Sequence, residues 1–381
     1  MSSTQREIWI DFLRVTACFL VMVVHSTEPY YLGGDGTLVA CVNDVFWVSL
    51  FEGLARCCVP LFVIASSYLQ FPIHYPTGEF FRRRALRILI PMLFWTVVYA
   101  LVWGDPVANF KGLLLNFNYA AGHLWFVYML IGLYLVMPML SPWAEKVSRQ
   151  ELSIYLSIWI LTTLFPFFRE AAGGAAPLIF AADGLPAAAQ FPLWGEASWN
   201  PFGLFYYVSG FLGYLLLGLY MRRFVPTTRM SAVLGWSFFF VGFLTIFYGL
   251  LQRMFEGGYF PISGPVDLAV GWEAAIAFCG LPVALTALGL TLVFRYYFRP
   301  RPDGKPSGWF YTYIVLPLSK AGYGMYLMHM LVLGSLSAFL RGLAWSTPLT
   351  ILATAFGSFV ITGGLAVLLQ RIPRVGKWIM G

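Results

Sequence analysis

The sequence predicts an all-α integral membrane protein of about ten transmembrane helices, with both termini in the cytoplasm, and three observations carry that expectation. Of its 381 residues, 59% are hydrophobic and only 11% are charged, where soluble domains carry about a quarter charged residues. Apolar windows of membrane-spanning length recur at roughly 8–27, 45–70, 87–104, 123–141, 151–168, 202–221, 231–250, 271–294, 312–340 and 348–370. The basic residues also sort by side. If the N-terminus is inside, 17 of the 24 fall in cytoplasmic segments, among them Arg6, Arg82, Arg83, Arg84, Arg87, Arg222, Arg301 and Lys305. Lys111, Arg169, Arg253 and Arg341 fall outside, and Arg14, Arg56 and Lys320 lie within spans. Positive residues gather on the cytoplasmic side, so this distribution sets the orientation and favours an even number of spans.

The net charge of +7 is therefore a topology signal and not a nucleic-acid footprint; the partners it implies are membrane lipids. The spans leave little room for a separate soluble part, and the expected organisation is one transmembrane domain over 1–381. The first apolar run is interrupted by Arg14 and followed by Glu28-Pro29-Tyr30-Tyr31, which does not resemble a signal-peptide cleavage site. The five cysteines (18, 41, 57, 58 and 279) show no paired spacing, so neither a disulfide framework nor a metal site is expected. The chain has no P-loop, Gly-x-Ser-x-Gly elbow or metal-ligand cluster, which weighs against an ATP-driven pump or a metallohydrolase and leaves a transporter open. The longest outside segment, about 169–201, is rich in turn residues and carries Trp194 and Trp199. These fit interfacial anchoring, with stacking on a sugar ring as the alternative.

The first span, Ile8 to Thr27, carries Asp11, Arg14 and His25. Arg14 and His25 are eleven residues apart, close to three helical turns, so they share a face at about 16 Å separation along the axis. Ionisable groups at membrane depth are costly, face the protein interior and mark pathways or reaction centres. Asp11 lies near the same face, and the plain alternative is that Asp11 and Arg14 pair. With the N-terminus inside, Arg14 sits in the cytoplasmic half and His25 near the outer face. That ordering suits an anionic donor arriving from inside and an acceptor from outside.

In the second span Glu52 and Arg56 stand one turn apart. They neutralise each other, or Glu52 orients His25. The third opens with Arg82-Arg83-Arg84-Ala-Leu-Arg87. Arg84 and Arg87 share a face at i, i+3, and their guanidinium forks suit phosphates; topology or lipid contact is the alternative. The fourth starts at His123-Leu124-Trp125. The ninth carries Lys320, Tyr323, Tyr326 and His329, the first three on one region of helix surface. Single histidines such as His123 and His329 are more often satisfied interior groups than catalysts. His74 falls in a cytoplasmic loop.

These segments resemble the integral-membrane acyltransferase-3 family of glycan O-acetyltransferases, and the resemblance covers nearly the whole chain. Arg14 and His25 match its Arg-x10-His, and Arg84 and Arg87 its Arg-x-x-Arg. VPLFVIASSYL is similar to VPLFFxxSGYL with Ser67 at the usual glycine; HLWFVYMLIGLYLVMP and GYGMYLMH match the fourth and ninth spans, with Gly322 where serine is common. The resemblance implies transfer of an acyl group, usually acetyl, from cytoplasmic acetyl-CoA to a carbohydrate hydroxyl at the outer face of the bacterial inner membrane. It makes Arg84 and Arg87 binders of the coenzyme A phosphates, Arg14 a donor to coenzyme A or the thioester region, and His25 the base or acyl relay. Tyr326 or Arg14 is the expected oxyanion donor. No metal is implied. Some relatives carry an extra extracytoplasmic domain, which is not expected here. The rival is a polytopic transporter of a sugar, lipid-linked glycan or organic acid, using the same stripe as a proton relay.

Overall fold

The computed structural model describes residues 6–33, 36–37, 42–171, 202–256, 275–299 and 308–381. Trp194, Trp199, Cys41, Arg301 and Lys305 lie outside the described residues, as does the opening of the 271–294 window. The described chain is helical apart from one short antiparallel pairing of Leu32–Gly33 with Gly36–Thr37. In order, the helices are α1 (Ile8–Thr27), α2 (Val42–Ala55), α3 (Cys58–Gln70), α4 (Thr77–Arg84), α5 (Ile90–Val102), α6 (Pro106–Leu113), α7 (Trp125–Lys146) and α8 (Arg149–Thr163). There follow α9 (Phe165–Ala171), α10 (Leu212–Phe224), α11 (Arg229–Glu256), α12 (Leu281–Tyr297), α13 (Leu316–Arg341), α14 (Thr347–Gln370) and α15 (Gly376–Met380).

Each of the ten sequence windows contains a helix. Among the described residues eight helical stretches are long and apolar enough to cross a membrane, and α12 is a shorter apolar helix. The window at 202–221 is also shorter than expected. Its first turns form a 3₁₀ segment, Gly203–Val208, and the chain then bends through Ser209 and Gly210 before α10 begins. Gly210 has φ +68°, a left-handed conformation that glycine adopts without the Cβ clash other residues meet. Pro282 in the first turn of α12 likewise marks a helix start.

Prolines also explain three irregularities inside longer spans. The second span breaks at Arg56-Cys57 between α2 and α3. Pro60, four residues past Arg56, has no N–H to give that carbonyl, and its ring crowds it. The segments Ala85–Leu89 and Tyr311–Val315 are π-helical turns, closed by Ile90 N–H to Ala85 O and Leu316 N–H to Tyr311 O. Each precedes a proline, Pro91 or Pro317, and the widened turn accommodates the ring.

The chain divides into two compact units. One comprises Met1–Ser26, Gln70–Glu145 and Phe298–Gly381; the other comprises Thr27–Leu69 and Lys146–Tyr297. In the second unit α11 and α12 approach through glycines: a Cβ at Gly235 would lie 2.9 Å from the Gly289 carbonyl, and one at Gly289 would lie 2.5 Å from the Gly235 carbonyl. Lipid gives helices no hydrophobic reason to associate, so close packing over small residues holds such pairs. Ser67, at a position where glycine was expected, is fully buried and donates to the Leu215 carbonyl at 2.5 Å. Room for it comes from Gly218, whose added Cβ would meet the Ser67 Cβ at 2.6 Å. In the first unit, Gly322 performs the same service for α1: a Cβ there would lie 3.3 Å from Cys18 Sγ.

Candidate active site

The polar residues of α1 divide into a structural group and an available one. Asp11 does not pair with Arg14. Its carboxylate accepts from Arg6 Nε (2.6 Å) and Nη2 (2.8 Å), from the Tyr311 hydroxyl (2.7 Å) and from the Ser319 hydroxyl (2.6 Å). Both oxygens are thus fully used. Arg6 comes from the segment before the helix and meets the carboxylate as a bidentate fork. Asp11 therefore braces the chain's start against the π turn and first turn of the ninth span. Arg14, half-buried, has no carboxylate at ion-pairing distance among the described residues.

A similar sorting occurs in the arginine cluster. Glu79 accepts from Arg82 Nε at 3.0 Å and from Arg83 Nε at 2.6 Å. Arg84 and Arg87 have no such partner among the described residues. Arg84 is partly buried, its guanidinium 5.2 Å from the ring centres of both Phe80 and Tyr134, and its Nε is buried without an acceptor. Arg87 is exposed. Arg87 is the middle residue of the π turn at Ala85–Leu89, and Arg84 directly precedes that turn. Tyr323 secures this turn by donating to the Ile88 carbonyl at 2.8 Å.

At the other end of α1 three of the chain's four histidines meet. The His25 and His329 rings are centred 5.1 Å apart, as are those of His123 and His329. His329 is fully buried and His123 is 8% exposed; His25 is half-buried. The array is held by backbone carbonyls. His329 Nδ1 lies 2.5 Å from the Tyr326 carbonyl, the Tyr326 hydroxyl donates to the His123 carbonyl at 2.5 Å, and the Tyr99 hydroxyl donates to the Leu327 carbonyl at 2.9 Å. Tyr99 also packs edge-on against His123 at 4.9 Å. Both ring nitrogens of His123 and Nε2 of His329 are buried without hydrogen-bond partners. Among the described residues no group of three or more His, Cys, Asp or Glu is arranged to hold a metal ion.

The remaining candidates fall elsewhere. Lys320 is exposed, Tyr323 is half-buried and stacks on Tyr326, and Tyr326 is buried. Trp125 is 36% exposed and packs edge-on to Phe126. His74 is exposed, 3.4 Å from Glu145. In the other unit Glu52 is fully buried; it accepts from the Thr27 hydroxyl at 2.7 Å and the Tyr31 hydroxyl at 3.3 Å, and lies 3.5 Å from Arg56. Arg56 donates in addition to the Ile276 carbonyl at 2.9 Å and lies over the Phe278 ring. This is the internal ion pair, at the i, i+4 spacing that brings Glu and Arg together on a helix surface.

The site thus presents two arginines with no carboxylate partner among the described residues, a third arginine in a membrane helix, and, three turns along that helix, His25, which meets His123 and His329 from two other segments. No curated protein and no solved structure matches the chain. A family model described as an acyltransferase domain matches residues 7–367. That match includes Arg14, His25, Arg84, Arg87, His123 and His329. The chain belongs to the acyltransferase-3 family and is a membrane acyltransferase.

Proposed function

We propose that this protein moves an acyl group, acetyl in the first instance, from cytoplasmic acetyl-CoA to a hydroxyl of a cell-surface glycan or lipid-linked sugar at the outer face of the bacterial cytoplasmic membrane. The observation that carries the reading is the gathering of His123 and His329 around His25, whose helix also bears Arg14, a cation with no carboxylate partner among the described residues. Family membership favours acyl transfer over the transporter alternative. The proposal includes ten spans in one transmembrane domain, with both termini inside, as the basic residues sort.

In this reading Arg84 and Arg87 hold the phosphates of the donor at the cytoplasmic mouth. Their lack of a carboxylate, beside two arginines that have one, leaves their donors for an anion. Arg14 continues the basic path inward. Helical side chains lean toward the N-terminus, so Arg14 leans toward the donor side and His25 leans inward from the outer end. With about 16 Å between them, Arg14 serves donor binding and not the oxyanion, and the Tyr326 hydroxyl is already committed to the His123 carbonyl.

The chemistry at His25 is general-base catalysis. Its imidazole takes the proton of the acceptor hydroxyl as that oxygen attacks the thioester carbonyl. The new C–O bond forms, the C–S bond breaks, and the departing thiolate receives the proton from His25. The test is to give membranes containing the protein acetyl-CoA labelled in its acetyl group. Alkali-labile label in glycan is expected; uptake of a labelled solute with no ester formed would favour transport and overturn the proposal.

A further inference from the structure

His329 is bound in a way that leaves one nitrogen conspicuously available. Its Nδ1 faces the Tyr326 carbonyl, an acceptor, so that nitrogen carries the proton. In the neutral ring Nε2 is then a bare acceptor. It is buried in a fully buried residue and has no donor among the described residues. An unfilled buried acceptor costs about 1–3 kcal/mol, and native structures retain few of them without a use. The imidazoles packed on His329 are His25 and His123, both centred at 5.1 Å, and the Tyr326 ring lies at 5.7 Å with its hydroxyl committed to the His123 carbonyl. At that spacing facing nitrogens can approach to about 3 Å, a hydrogen-bond distance, with a small ring rotation.

We propose that His329 is a positioning residue for His25, its Nε2 accepting an N–H of His25 once His25 has taken the acceptor's proton. The inference rests on His25 being the base. Before transfer His25 is a neutral ring with one N–H; afterwards it is an imidazolium with two, and a hydrogen bond to His329 becomes charge-assisted. The interaction therefore strengthens as the reaction proceeds and lowers the barrier without tightening substrate binding. The Tyr326 carbonyl holds His329 in the required tautomer, and His123 packs edge-on against its ring at 88°. The proton itself follows the path already given, from acceptor to His25 to thiolate; His329 only shares it.

Three variants at His329 test this, using acetyl-CoA and the glycan-bearing membranes of the producing cell. His329→Phe keeps a ring of similar shape without Nε2. His329→Gln places a polar atom near the Nε2 position, and His329→Asn near Nδ1. A hydrogen bond to a charged group corresponds to about a 10- to 100-fold change in rate. The Phe variant is expected to lose that factor in kcat with KM for acetyl-CoA unchanged, the Asn variant to lose the same, and the Gln variant to recover about tenfold over both. A Phe variant as active as the wild type, or equal activity in Gln and Asn variants present at equal membrane levels, would overturn the proposal. Should the Phe variant fail to insert, the Gln and Asn comparison decides it. Wild-type and His25→Ala proteins that transfer label equally would instead overturn the assignment of His25, and the inference with it.

Discussion

Replacing Asp11 by alanine separates bracing from catalysis on the first helix. The carboxylate accepts four hydrogen bonds at 2.6–2.8 Å. Its loss strands two buried hydroxyls, Ser319 at 0% and Tyr311 at 9% exposure. Each stranded group costs about 1–3 kcal/mol, giving about 2–6 kcal/mol in all. Arg6 adds little because its side chain is 48% exposed and rehydrates when freed. The purified protein in detergent should lose on the order of 5 °C or more in its apparent melting midpoint. Activity per folded molecule should stay within a few-fold of wild type, because nothing that Asp11 touches reaches the histidine cluster. An Asp11→Ala protein that melts normally yet transfers no acyl group would refute this account. Asp11 would then belong with Arg14 in the site.

Other expectations follow from the same geometry. Arg84→Ala and Arg87→Ala should each raise KM for acetyl-CoA by about tenfold or more through loss of charge-assisted hydrogen bonds, whereas Arg82→Ala, which frees Glu79, and Arg83→Ala, which frees Glu79 and the exposed Tyr75 ring, should change it by less than about threefold. Steady-state kinetics on the four variants checks the contrast, and equal effects would mean that the cluster acts through bulk charge. Gly218→Ala should destabilise by about 1–3 kcal/mol through overpacking, since its Cβ would meet Ser67 at 2.6 Å and the Ile64 carbonyl at 2.9 Å. Adding Ser67→Gly should restore part of that loss in a thermal-melt comparison, and strict additivity would remove the contact from the explanation. Cysteine labelling from either side of sealed vesicles should place both termini and the arginine cluster on the cytoplasmic side; a terminus labelled only from outside would overturn the proposed orientation.

The membrane class was legible because apolar length and the sorting of basic residues are properties of single segments. The helix breaks were legible in part. Pro60, Pro91 and Pro317 are visible in the sequence, but whether a proline kinks, breaks or widens a helix depends on what packs beside it. The Arg6–Asp11 pairing was missed because Arg6 lies outside the apolar window and counted only as an orientation signal, so Arg14 stood as the available cation. Arg84 and Arg87 were marked by motif spacing, yet their distinction from Arg82 and Arg83 rests on Glu79, an ordinary-looking residue one turn away. The histidine cluster was the largest omission. His25, His123 and His329 come from three separate helical segments; His25 was marked by its span and motif, but His123 and His329 each alone read as interior groups. A depth comparison could have flagged two of them, since His25 lies 17 residues into Ile8–Thr27 and His329 lies 18 residues past Tyr311, equal levels on spans that run the same way.

The account turns on His25 as the base. Its most direct test is His25→Ala assayed for transfer of labelled acetyl from acetyl-CoA to glycan, with membrane insertion and thermal midpoint measured on the same preparation. The account predicts a protein that is inserted and melts like wild type but forms ester at least about a hundredfold more slowly. An inserted His25→Ala protein that acylates at the wild-type rate would contradict it.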